Sequence, residues 1–143
     1  MKKQILALVM GTALLGGCSY LCEDCIDGKT CPAKVEVGPT FFAFNSAELT
    51  NTYKADLKKT AAEIKAEKAE KVLVKAYADT TGPAAYNVAL SQRRANAVAD
   101  YLAQEGVCKK KITAKGYGST SSFDAANTSA GRAKNRRAEV IFE

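Results

Sequence analysis

Lys71-Val72-Leu73-Val74-Lys75-Ala76-Tyr77-Ala78-Asp79-Thr80-Thr81-Gly82-Pro83 is the stretch that decides the fold. Val72, Val74, Ala76 and Ala78 alternate with their neighbours, so one face of a strand is apolar. Thr80-Thr81-Gly82-Pro83 is a turn, and proline suits the first turn of a helix because its fixed φ is helical and no N–H is wasted. From there to about Glu105, Leu90, Ala97, Val98, Tyr101 and Leu102 make one stripe at about 100° per residue, and Gly106 stops it. The stretch therefore runs strand, tight turn, amphipathic helix.

Outward on the N-terminal side, residues 40–44 read as a short aromatic strand. Asn45-Ser46-Ala47-Glu48 offers capping chemistry, and Leu49, Tyr53, Leu57, Ala61 and Ile64 recur at helical spacing to about Lys68. On the C-terminal side, residues 111–117 read as a strand and 118–135 as a long loop rich in Ser, Thr, Ala, Asn and Gly. Residues 137–142 alternate again and close the sheet. The order β-α-β-α-β-(loop)-β predicts an α/β sandwich: a small mixed sheet with helices packed against it. Periodicity leaves the strand order open.

The chain has 143 residues, 21 Lys plus Arg against 15 Asp plus Glu, and a formal charge of +6. That length suits one domain. With no histidine, a Ser-His-Asp triad, a Cys-His pair and every His-ligated metal site are excluded, and nothing calls for a cofactor. The modest positive charge does not point to nucleic acid, because the first residues read as an export signal. Lys2 and Lys3 precede an apolar run, residues 5–15, interrupted only by Gly11 and Thr12. The run is shorter than the roughly 20 apolar residues needed to span a bilayer.

Leu15-Gly16-Gly17-Cys18 resembles the lipobox of bacterial lipoproteins. The resemblance implies a signal peptide over residues 1–17 and acylation of Cys18, whose lipid chains would hold the protein on a membrane. Ser19, where Asp commonly retains such proteins in the inner membrane, is similar to the outer-membrane choice. Residues 18–39 carry further cysteines, prolines and glycines without an apolar period and read as a tether, leaving 40–143 as the folded domain. Cys22, Cys25, Cys31 and Cys108 are candidates for structural disulfides in an oxidising compartment, with three pairings open. Cys22-Glu23-Asp24-Cys25 has thioredoxin-like spacing but lacks the strand and helix N-terminus that lower a thiol pKa.

Asn87, Ser91 and Arg94 share the apolar stripe of the second helix, so its buried face turns polar toward its N-terminus. A buried arginine needs an anion, and the short turn keeps Asp79 close. Two readings follow. Asp79 and Arg94 form an internal salt bridge, or they hold a ligand bearing an ammonium and a carboxylate.

Four motifs in order resemble the OmpA-like C-terminal domain over residues 40–143: Phe42-Ala43-Phe44-Asn45-Ser46-Ala47-Glu48-Leu49, Ala76-Tyr77-Ala78-Asp79-Thr80-Thr81-Gly82, Asn87-Val88-Ala89-Leu90-Ser91-Gln92-Arg93-Arg94-Ala95 and Gly131-Arg132-Ala133-Lys134-Asn135-Arg136-Arg137. The resemblance implies non-covalent binding of peptidoglycan through the meso-diaminopimelate of its stem peptide. By position, Asp79 would take the ammonium and Arg94 the carboxylate, with Asn45, Thr81, Asn87 and Arg136 around them. Ala76 and Ala78 replace the Gly and Thr usual in the family. Lipobox and tether together resemble the peptidoglycan-associated lipoprotein family, whose members also bind Tol-system proteins. The implied role is a non-enzymatic outer-membrane tether in the periplasm, the alternative a Tol-type protein–protein adaptor. A hydrolase would need a general acid, and a carboxyl paired with arginine has its pKa depressed. On this reading, alanine at Asp79 or Arg94 abolishes sedimentation with purified sacculi and leaves circular dichroism unchanged.

Overall fold

The computed structural model describes residues 35–143. The readings of residues 1–17, Cys18, Cys22, Cys25 and Cys31 lie outside them. The elements follow in the order β1 (Val35–Phe41), α1 (Asn51–Ala66), β2 (Val72–Ala78), α2 (Ala84–Gln104), β3 (Ile112–Ser119), α3 (Ser129–Asn135) and β4 (Arg137–Phe142). The four strands form one mixed sheet in the order β1-β4-β2-β3. β4 is antiparallel to both β1 and β2, whereas β2 and β3 run parallel with α2 as their crossover.

The alternation in β2 puts Val72, Val74, Ala76 and Ala78 in the core, as the sequence pattern requires. Val72, Val74 and Ala76 share one core cluster with Leu57, Ala61 and Ile64 of α1, Ala95, Val98 and Leu102 of α2, and Ala138, Val140 and Phe142 of β4. Burying the Val, Leu, Ile and Phe side chains among them contributes roughly 1.5–3 kcal/mol each before conformational entropy is subtracted. α2 lies almost on the backbone of β3. A Cβ on Gly116 would come within 2.2 Å of Gln92 N, so only glycine allows this approach. Gln92 then serves the edge strand as a neighbouring strand would: its Oε1 accepts from Gly116 N at 2.9 Å and its Nε2 donates to Ala114 O at 3.1 Å.

Register places the site. Val35 and Val72 both pair with Phe142, so β1 and β2 start at one end of the sheet. Their C-terminal ends, and the start of β4, lie together at the opposite end. Residues 42–50, the turn 79–83 and Arg136 therefore gather at one pole, beside the N-terminus of α2.

Local boundaries differ from the sequence reading in three places. β1 begins at Val35 and takes in residues 35–39, read above as tether. α1 begins at Asn51 with Thr50 as its N-cap, accepting from Tyr53 N, rather than near Asn45. Asn45 instead adopts φ of +52°, a left-handed conformation that Asn tolerates, and Ser46 Oγ accepts from Glu48 N at 3.1 Å in a separate turn. The loop expected over 118–135 contains α3, capped by Thr128. Cys108 is exposed, and the cysteines weighed as its disulfide partners lie outside the described residues.

Candidate functional site

The pole that gathers the loops carries a cavity of about 360 Å³. This is room for a single amino-acid-sized group, at the lower end of small-molecule sites. Asn45, Asp79, Thr81, Asn87, Arg94 and Arg136 all line it. Every ligand-binding position expected from the sequence is thus brought into one place, from four separate segments of the chain.

Their pairing is not the salt bridge weighed as the first reading. Asp79 Oδ2 is 3.1 Å from Arg136 Nη1, and Asp79 Oδ1 accepts from Thr81 N at 3.0 Å. The Arg136–Asp79 pair is nearly dry, with side chains 15% and 5% exposed. Burial pushes the Asp79 carboxyl up, but the Thr81 hydrogen bonds and the Arg136 guanidinium outweigh it and hold its pKa below the ordinary 3.8. Asp79 is therefore an anion at neutral pH.

Arg94 is satisfied by carbonyls instead of a carboxylate. Nε donates to Ser46 O at 2.8 Å, Nη1 to Tyr77 O at 2.9 Å and Nη2 to Ala43 O at 3.1 Å. Its guanidinium also stands 5.1 Å over the Phe42 ring. The side chain is fully buried and forms the innermost wall of the cavity. Carbonyl dipoles solvate this charge without cancelling it. Desolvation first, and then repulsion from Arg136, pushes the Arg94 pKa down to about 10.

The remaining expected residues hold the walls. Asn87, buried, donates from Nδ2 to Thr81 O at 3.0 Å and to Asp79 O at 3.3 Å, fixing the turn onto α2. The Tyr86 hydroxyl donates to Asn45 Oδ1, joining α2 to the loop after β1. Arg136 Nε donates to Phe42 O at 3.1 Å, which anchors the base of its guanidinium while Nη1 faces the cavity. α2 has Pro83 as N-cap, no side-chain cap bond and no acid in its first turn, so its positive dipole end also faces this space.

Sequence reasoning did not assign Phe44, Tyr86 and Leu90 to the site; with Gly82 and Pro83 of the turn they complete the lining. Phe44 is 65% exposed and Tyr86 43% exposed. An aromatic ring directly preceding Asn45, and another preceding Asn87, is the signal that could have found two of them. Two neighbouring arginines are engaged elsewhere: Arg137 stacks over Phe123 and pairs with Glu139, and Arg93 lies 5.8 Å from the Tyr86 ring centre.

Comparison with known proteins gives a consistent result. The model of the OmpA family matches residues 41–136. A peptidoglycan-binding protein ArfA from Mycobacterium bovis is 36% identical over 117 residues, 82% of this chain and 36% of that protein. The chain thus spans about a third of the length of that relative. A peptidoglycan-associated lipoprotein from Haemophilus influenzae is 38% identical over 102 residues, 71% of this chain and 67% of that protein. Among solved structures, the peptidoglycan-associated lipoprotein from Burkholderia pseudomallei superposes with a TM-score of 0.69 at 29% identity, covering 73% of this chain and 89% of that one.

Proposed function

Since this chain belongs to the OmpA family, we propose that it binds peptidoglycan without chemical change, through the meso-diaminopimelate of the stem peptide. Asp79 takes the free ammonium, and the guanidinium wall formed by Arg94 and Arg136 takes carboxylate. Arginine suits this task because its planar fork matches a carboxylate through charge-assisted hydrogen bonds. The observation that carries the reading is the meeting of an ionised, nearly dry carboxylate with two guanidinium groups in one amino-acid-sized cavity. The names of the relatives support the same polymer. The carboxyl of Asp79, held below its ordinary pKa, favours a charge-pairing role over that of a general acid.

Sedimentation with purified sacculi tests the reading. Asp79→Asn keeps the volume of the side chain and removes the charge; it is expected to lose sedimentation while its far-ultraviolet circular dichroism stays that of the wild type. Pelleting equal to wild type would refute the site.

We further propose that the protein is an outer-membrane lipoprotein, acylated at Cys18, with the tether 18–34 leading into the domain on the periplasmic side. The support is the Leu15-Gly16-Gly17-Cys18 run behind a basic and apolar leader and the lipoprotein names among the relatives. Cys18→Ser is expected to shift the protein from the membrane fraction to the soluble one. Retention in the membrane would overturn the anchor.

A further inference from the structure

We infer that the cavity selects stem peptides that end at the diamino acid over stems that continue beyond it, and that Arg136 makes the distinction. The inference rests on the diaminopimelate reading above and adds which form of the stem is preferred.

It follows from a count of charges. The lining holds two guanidinium groups, Arg94 and Arg136, and one carboxylate, Asp79. Asp79 neutralises Arg136 at 3.1 Å, and Arg94 rests on three main-chain carbonyls. A ligand ammonium is best met by Asp79, the sole carboxylate in the lining among the described residues. Arg136 then loses its counter-ion while remaining largely out of solvent, a costly arrangement unless the ligand brings another anion. Its Nε bond to Phe42 O keeps it in the wall, so it stays beside the ligand. The uncapped N-terminus of α2 adds to the same positive field.

The complement of such a site is a group with one ammonium and two carboxylates. A diaminopimelate inside a longer stem offers an ammonium and a single carboxylate, because its α-carboxyl is tied up as an amide. At the end of a stem the α-carboxylate is free. One carboxylate then meets Arg94 and the other Arg136, and all charges are matched.

The test uses the full chain and two soluble probes: L-alanyl-D-isoglutamyl-meso-diaminopimelate, and the same tripeptide with its diaminopimelate α-carboxylate converted to a carboxamide. Titration calorimetry is expected to give the free acid an affinity about tenfold higher, the scale of one charged hydrogen-bond contact partly offset by desolvation. Arg136→Gln is expected to bring the ratio near one, whereas Arg136→Lys, which keeps the charge, retains most of it. A purely structural role for Arg136 would lower both affinities together and leave the ratio unchanged. Equal binding of the two probes by the wild type overturns the inference and leaves the diaminopimelate reading standing. A preference that persists in Arg136→Gln overturns the assignment to Arg136. Binding of neither probe overturns the diaminopimelate reading and the inference with it.

Discussion

Replacing Arg94 by Ala takes the donor from the carbonyls of Ala43, Ser46 and Tyr77 and removes part of the cavity wall. Buried acceptors that lose their donor cost about 1–3 kcal/mol each, with some relaxation, so the expected loss of stability is about 2–4 kcal/mol. Urea unfolding checks this as a lowered midpoint. Lost sedimentation by Arg94→Ala therefore speaks for stability as much as for binding, even where circular dichroism is unchanged, and Asp79→Asn is the cleaner probe. Asp79 also predicts an acid limit. Its folded pKa lies below the ordinary 3.8, so its stabilising contribution is complete above that value and is lost as pH falls through the folded one. Thermal unfolding from pH 6 to pH 2 should show a steeper acid loss in the wild type than in Asp79→Asn. That Arg94 is buried was legible from its place on the apolar stripe. Its partners were not, because main-chain carbonyls 48 and 51 residues away carry no side-chain signature.

At the scale of elements, the contact between α2 and β3 depends on Gly116. Gly116→Ala forces its new methyl against Gln92 N and Ser91 C, both backbone atoms that cannot move alone. The helix must lift, breaking the Gln92 and Ser91 bonds to the strand, and a loss of about 2–3 kcal/mol is expected. Urea unfolding reads it. Gly131→Ala acts likewise, since its Cβ would sit 2.2 Å from Ala126 O. That loop is tied to α3 through Asn135, which accepts from Asp124 N and donates to Asp124 O, and Lys134 pairs with Asp124 at 3.0 Å. α3 leads directly into Arg136, so Gly131→Ala is expected to weaken probe binding as well as stability. The long helices and β2 were legible because their periods repeat several times. α3 was not: seven residues with a central glycine complete too few turns to show a period. The start of β1 was obscured by Gly38 and Pro39, which sit at the irregularity between Val37 and Thr40 on an edge strand where proline is tolerated.

For the molecule as a whole, the α/β class and the mixed sheet were readable from element order, while the strand order β1-β4-β2-β3 emerges only from pairings distant in sequence. The site was readable as a set of residue types but not as a wiring diagram, because the exchange of Arg94 for Arg136 as the partner of Asp79 depends on how three loops meet. Without Lys2 and Lys3 of the proposed leader the side-chain charge is 19 − 15 = +4, which predicts that attachment to sacculi, whose stems carry carboxylates, weakens as salt shortens the reach of electrostatic attraction. Sedimentation at rising sodium chloride checks this; a flat response would mean that long-range charge contributes little. The register has a mechanical corollary. The chain enters at Val35, opposite Phe142, while the cavity lies at the far end of the same strands. On the lipoprotein and wall-binding reading proposed above, a pull between anchor and wall would run lengthwise through β1 and load its rungs to β4 in shear, all together, instead of unzipping them singly.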